Sequence, residues 1–174
     1  VRYQWRDYAQ ISDDLKRAVL ISEDARFMEH IGFDLRGIRH AIERNEEAGR
    51  PVAGGSTVTQ QLAKNLFLSS EKSYARKFQE ALIALMLEAT LSKKRILELY
   101  LNTAQWGNRL FGAQAAARHY FDVDAQALSP AQAAQLAVLL PRPSYYDVRG
   151  TTEYVEQRTL WIQKQLPLVR IPPS

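Results

Sequence analysis

Helix starts recur along almost the whole chain, and they constrain its fold more than any other feature. Ser12, Asp34, Ser73 and Ser92 each stand where a side-chain oxygen can cap a helix, just ahead of residues with helical spacing. Thr57 and Gln60 have the spacing of a capping box, which predicts a helix running to about Leu68. Ser129-Pro130-x-Gln132 adds a proline at the first helical position. Apolar residues keep the period that these caps announce. Leu15 and Val19 share a side with Ser22, Leu35 and Ile38 with Ile42, and Phe78, Leu82 and Leu85 with Ala89. Gly49 before Pro51 reads as a stop, and Pro167 ends a last helix over about 152–166. Gly107 and Gly112 punctuate a loop ahead of an alanine-rich helix over 113–121, and PRPSYYD reads as a stiff loop. Strand patterns are scarce. The expectation is an all-α fold of short and medium helices packed irregularly.

The 174 residues suit one domain with room for a smaller lobe, and 46% hydrophobic residues are ample for a core. The most apolar stretch, ALIALMLEATL (81–91), is broken by Glu88 and reads as a buried helix. No apolar run reaches the ~18 residues of a membrane span. Lys and Arg number 23 against 19 Asp and Glu, a net charge of +4. That mild excess fits an anionic substrate or a membrane surface and is too small to imply nucleic acid. The lack of cysteine excludes disulfides and zinc thiolates but leaves the compartment open. The chain opens at Val1 without a methionine, and the expectation is that an upstream segment is missing.

Chemistry concentrates in three places. In ISEDARFMEHIGFD (21–34), Glu23 and Asp24 stand at a helix end among apolar residues, where desolvation can raise a carboxyl pKa and suit it to general-base work. A solvated acidic turn with a capping Asp34 is the plainer reading of the same residues. His30 reads as a structural histidine, and three histidines without spaced partners argue against a histidine metal site. In PVAGGSTVTQQLAKN (51–65), a glycine-rich turn enters a helix, an arrangement whose backbone N–H groups hold anions. Ser56, Thr57, Thr59, Gln60 and Gln61 add donors, and Lys64 lies one turn further on. A capped helix after a surface turn explains these residues equally well. In SEKSYARKFQEA (70–81), Arg76 and Glu80 have the spacing of an ordinary surface ion pair, and Lys72 and Lys77 add cations. Together the three give two carboxylates, Glu23 and Glu80, beside a cationic strip. Paired carboxylates suggest glycosyl chemistry, and the cations suggest a phosphate leaving group.

The chain resembles the peptidoglycan glycosyltransferase family, the transglycosylase domain of class A penicillin-binding proteins and its stand-alone relatives. The pattern E-D-x-x-F-x-x-H-x-G-x-D is met by Glu23, Asp24, Phe27, His30, Gly32 and Asp34. G-G-S-T-x-[TS]-Q-Q-x-x-K-N runs from Gly54 to Asn65 and takes in Gly55, R-K-x-x-E is Arg76, Lys77 and Glu80, and K-x-x-I-L-E-x-Y-L-N runs from Lys93 to Asn102. The likeness covers about residues 12 to 165. It departs at Arg109, where a glycine is expected, and at Ala113, where a β-branched residue is expected.

The resemblance implies a lysozyme-like fold with a larger helical lobe and a smaller, membrane-facing one. It implies a monofunctional enzyme or an excised domain, the stand-alone form being the better match, with an N-terminal membrane anchor that this chain lacks, working on the outer face of the bacterial cytoplasmic membrane. The substrates would be lipid II and the growing glycan strand, joined by an inverting transfer that releases undecaprenyl pyrophosphate. Glu23 would be the base. Lys64, Lys72, Arg76, Lys77 and the Gly55-Ser56 turn would meet the pyrophosphate, with Thr57, Gln60, Gln61 and Asn65 as further contacts and Asp24, Phe27, His30 and Asp34 in support. Glu80 would either hold a divalent cation, Mg²⁺ or Mn²⁺, or orient Arg76 and Lys64. Cell-wall assembly proteins are further implied partners. Leu66, Phe67 and Leu68 read as helix core, with bilayer contact the other reading. Glycan cleavage of the lysozyme type and a non-catalytic scaffold are the competing functions.

Overall fold

The computed structural model describes residues 3–49, 54–68, 73–141 and 152–173. Among these the chain is mostly helical, in line with the expectation. The α-helices are α1 (Asp13–Glu23), α2 (Leu35–Ala48), α3 (Val58–Phe67), α4 (Tyr74–Thr90), α5 (Lys93–Thr103), α6 (Ala113–Phe121), α7 (Pro130–Leu139) and α8 (Glu153–Gln165). Each cap expected from the sequence is made. Ser12, Asp34, Thr57, Ser73, Ser92 and Ser129 accept from the backbone N–H of Leu15, Gly37, Gln60, Arg76, Arg95 and Gln132. Gly49 closes α2 in the left-handed conformation. Residues 51 and 142–147, within the expected stop and the stiff loop, lie outside the described residues.

The loop expected around Gly107 contains a small antiparallel hairpin, β1 (Gln105–Gly107) with β2 (Leu110–Phe111). A pairing this short leaves no alternating pattern to read. Arg109 sits in its turn at φ 58°, a backbone region that glycine enters without strain. The site where the family pattern calls for glycine therefore keeps the glycine conformation with an arginine in it. Ala113, the other departure, is fully buried at the start of α6.

The core is assembled from α1, α3, α5, α6, α7 and α8. Leu15, Val19, Leu97, Leu101, Trp106, Leu136 and Ile162 are all closed to solvent within it. α1, α7 and α8 pack on one another, and α3 packs on both α4 and α5. α2 and α4 are different. α2 buries only Ala41, and α4 only Glu80 and Ala84. Segment 81–91 is therefore not the buried helix its composition predicts, because Leu82, Leu85 and Met86 are 46, 44 and 66% exposed. The stripe read from periodicity exists, but no described element covers it. Leu66 and Phe67 are likewise exposed rather than core, at 40 and 59%.

Candidate active site

Glu23 is the last residue of α1, and the backbone turns away immediately after it at Asp24. Helix end and turn bring its carboxylate against α3. Gln61 Nε2 donates to Glu23 Oε2 at 2.7 Å, and Ser22 Oγ approaches Oε1 at 3.4 Å. Burial raises the Glu23 pKa above the ordinary carboxylate value. The bonds from Gln61 and Ser22 and the charge of Lys64 oppose that rise, while Asp24 adds to it. Glu23 is half-buried and hydrogen-bonded across to α3, unlike a free surface acid.

Asp24 is 7% exposed and engaged. Its Oδ2 accepts from Val58 N, the first residue of α3, at 3.0 Å, and its Oδ1 lies 2.8 Å from His30 Nε2. A carboxylate at that position answers both an unpaired N–H and the positive end of the helix. Phe27, buried, meets the His30 ring edge-on and carries Lys93 Nζ 4.4 Å from its centroid. Asp34 caps α2 and pairs with the Arg26 guanidinium. Burial pushes its pKa up, but the Gly37 N–H and Arg26 outweigh burial and bring it below the ordinary value. These four residues are a frame that locks the end of α1 to the starts of α2 and α3.

The glycine-rich turn faces Glu23 across an open cleft of about 420 Å³. Its lining includes Glu23, Asp24, Arg26, Asp34, Gly54, Gly55, Ser56 and Thr57. A Cβ at Gly55 would stand 3.0 Å from Ile38 Cγ1 and 3.1 Å from Ile38 Cα, so only glycine lets the turn lie this close to α2. Ser56 is half-buried and accepts from Lys77 Nζ at 2.9 Å; the same ammonium is 2.5 Å from Glu80 Oε1. Lys77 thereby joins α4 to the turn. The ion pair on Glu80 comes from Lys77, three residues before it, rather than from Arg76 at the expected i, i+4 spacing. Arg76 is half-buried on α4.

Some expected ligand contacts are absorbed by the fold. Thr57 Oγ1 donates to Gly32 O at 2.7 Å, and Gln60 Oε1 accepts from Thr57 N at 2.9 Å. At 2 and 5% exposure these two side chains are spent on holding the start of α3. Thr59 likewise donates to Glu88 Oε1 at 2.6 Å, and Gln61 spends its amide on Glu23. Lys64 is half-buried and Asn65 exposed on α3. Among the described residues no ion pair ties Lys64 down. Lys72 lies outside the described residues. One residue was missed in this role altogether. Tyr100 of α5 donates through its hydroxyl to Gln61 Oε1 at 2.9 Å. Its place in the fourth motif was the only sequence signal for it.

A profile of the transglycosylase family matches residues 1–167 of the chain. The chain belongs to that family. Among curated members it is 69% identical over 172 residues to the biosynthetic peptidoglycan transglycosylase of Alcanivorax borkumensis, covering 99% of the chain and 70% of that relative. Proteins of the same name from Laribacter hongkongensis and Dechloromonas aromatica are 53 and 52% identical over 172 residues. Those two matches again cover 99% of the chain, and 75 and 74% of the relatives. Transglycosylases are glycosyl-transferring enzymes.

Proposed function

We propose that this transglycosylase polymerises lipid II into the β-1,4-linked glycan strands of peptidoglycan, with Glu23 as general base. The observation that carries the proposal is a desolvated carboxylate, held by Gln61, facing a glycine-rich turn in an open cleft. Glu23 takes the proton of the acceptor 4-hydroxyl on lipid II. The freed oxygen attacks the anomeric carbon of the growing strand from the face opposite its pyrophosphate. One C–O bond forms as the C–O bond to phosphate breaks, and the electron pair departs on undecaprenyl pyrophosphate. A single displacement inverts the α-linked donor to a β-linked product. Proton removal by a placed base contributes about 10²- to 10⁴-fold to such a step.

The leaving group carries charge, and preorganised cations lower the barrier to its departure. Lys64, Arg76 and Lys77 with the N–H groups of Gly55 and Ser56 supply this, and Lys72 adds to it. Glu80 holds Lys77 in place. A resident Mg²⁺ or Mn²⁺ is not supported by the donor set. Glu80 already has an ammonium on Oε1, and no group of three His, Cys, Asp or Glu among the described residues can hold a metal ion. No step is routed through a cation.

The exposed apolar residues of α2, α3 and α4 support a membrane-facing lobe in a lysozyme-like arrangement, with the active site on the outer face of the cytoplasmic membrane. Phe67, Phe78, Leu82 and Met86 are exposed apolar side chains suited to an acyl boundary. No described helix is long and apolar enough to cross the membrane. The growing strand and cell-wall assembly proteins complete the set of partners.

The test is incubation with fluorescent lipid II and separation of products by gel. Polymer that disappears in Glu23→Gln supports the reading. Release of fragments from sacculi, without polymer from lipid II, would replace it with glycan cleavage.

A further inference from the structure

We propose that Tyr100 is a positioning residue for Glu23: its hydroxyl holds the Gln61 amide in the one orientation that turns an N–H toward the carboxylate. The inference rests on the reading of Glu23 as the base. It starts from a chain of two hydrogen bonds across three elements. Tyr100 on α5 donates to Gln61 Oε1 at 2.9 Å, and Gln61 on α3 donates to Glu23 Oε2 at 2.7 Å at the end of α1.

An amide is ambivalent, since one end accepts and the other donates. Left alone, Gln61 can present either end to Glu23. An ionised carboxylate needs the donor, whereas a protonated one can give its own hydrogen to the amide oxygen. Tyr100 removes the choice. It is 2% exposed, and burial, then the charges of Glu23 and Asp24, push its phenol well above the ordinary tyrosine value. It therefore keeps its hydrogen through the working range, and among the described residues Gln61 Oε1 is the acceptor that hydrogen finds. A flipped amide would leave the buried O–H without an acceptor, so Gln61 meets Tyr100 with oxygen and Glu23 with nitrogen. The consequence is selection of ionised Glu23 in a place where burial favours the neutral form.

The other groups acting on Glu23 do not replace this link. Asp24 opposes ionisation from the adjacent position, and Lys64 of α3 favours it through charge alone. α7 packs along α1 without a titratable side chain, and no charged residue of α8 acts on Glu23.

The experiment is Tyr100→Phe in the whole chain, which removes one oxygen and no packing volume. The rate of lipid II polymerisation is followed against pH. In parallel, carbon-13 NMR of glutamate-labelled protein follows the Glu23 carboxyl, assigned by its loss in Glu23→Gln. The expected result is an acid limb and a Glu23 midpoint both raised by about half to one pH unit. Below the midpoint kcat/KM falls about three- to tenfold, and at the alkaline plateau it recovers. Gln61→Met produces at least the same shift, and adding Tyr100→Phe to it moves the midpoint no further. A Glu23 midpoint unmoved in Tyr100→Phe overturns the proposal, whatever the activity does. If that variant does not fold, an unmoved midpoint in Gln61→Met overturns it instead. Should Glu23→Gln keep its activity, the base reading fails, while the NMR midpoint still decides whether the link exists.

Discussion

α4 and α7 are both rich in apolar residues, yet they end up in opposite surroundings. α7 buries Ala133, Ala134, Leu136, Ala137, Val138 and Leu139 between its neighbours. α4 turns Phe78, Leu82, Leu85 and Met86 to solvent and buries a glutamate instead. Apolar composition therefore marks a helix that wants cover without saying what provides it. For α7 the cover is the protein's own core. For α4 the face against α3 and the glycine-rich turn carries the polar work, because Glu80 and Lys77 meet Ser56 there. Among the described residues no element covers the outer face. Exposed patches of this kind mark interaction surfaces more often than errors of folding.

The difference can be pressed at graded strength. The largest effect is expected inside α7. Leu136→Ala, at a position with no solvent exposure, should cost about 2–5 kcal/mol of stability in a denaturant titration. A cost near zero would mean that the α7 face is not core. Asp24→Asn works at the seam that ties α1 to α3. It keeps one acceptor for Val58 N and His30 where two are used, and should cost about 1–3 kcal/mol. Arg109→Gly reverses the sign. Relief of a left-handed arginine outweighs the entropy of an added glycine, so the variant should melt higher, by up to about 1 kcal/mol. The smallest effect on stability belongs to α4. Phe78→Ser with Leu82→Ser should change it by no more than about 0.5 kcal/mol while weakening sedimentation with phospholipid vesicles severalfold. Substantial destabilisation by that pair would mean that α4 belongs to the core after all.

Which features were legible in the sequence follows from how far apart their partners lie. A cap and its N–H lie within one turn, so Ser12, Asp34, Thr57 and Ser129 announce their helices without help from the rest of the chain. The motif residues were legible as a set: Glu23 and Ser56 line one cleft, and Lys77 and Glu80 join it through the bond from Lys77 to Ser56. What each one does was less legible. Thr57, Thr59, Gln60 and Gln61 read as ligand donors because a list of donors does not say where hydrogen bonds are spent. Thr57 and Gln60 serve the start of α3, Thr59 ties α3 to Glu88 of α4, and Gln61 bonds Glu23. Tyr100 lies 39 positions from Gln61, and only the packing of α3 on α5 makes them neighbours. The exposed stripe of α4 was correctly periodic but wrongly buried, since period reports that a face exists and not what covers it.

The central claim is that Glu23, desolvated yet kept ionised, removes the acceptor proton. The most direct measurement is the pH dependence of kcat/KM for lipid II polymerisation, taken on the parent chain and on Glu23→Gln. A base must be deprotonated to act, so activity should rise with pH. Because burial raises the Glu23 pKa, the midpoint should lie above the ordinary glutamate value of 4.5. The limb should vanish with the activity in Glu23→Gln. A limb at or below that ordinary value, or a Glu23→Gln variant that polymerises at the parental rate, would contradict the account.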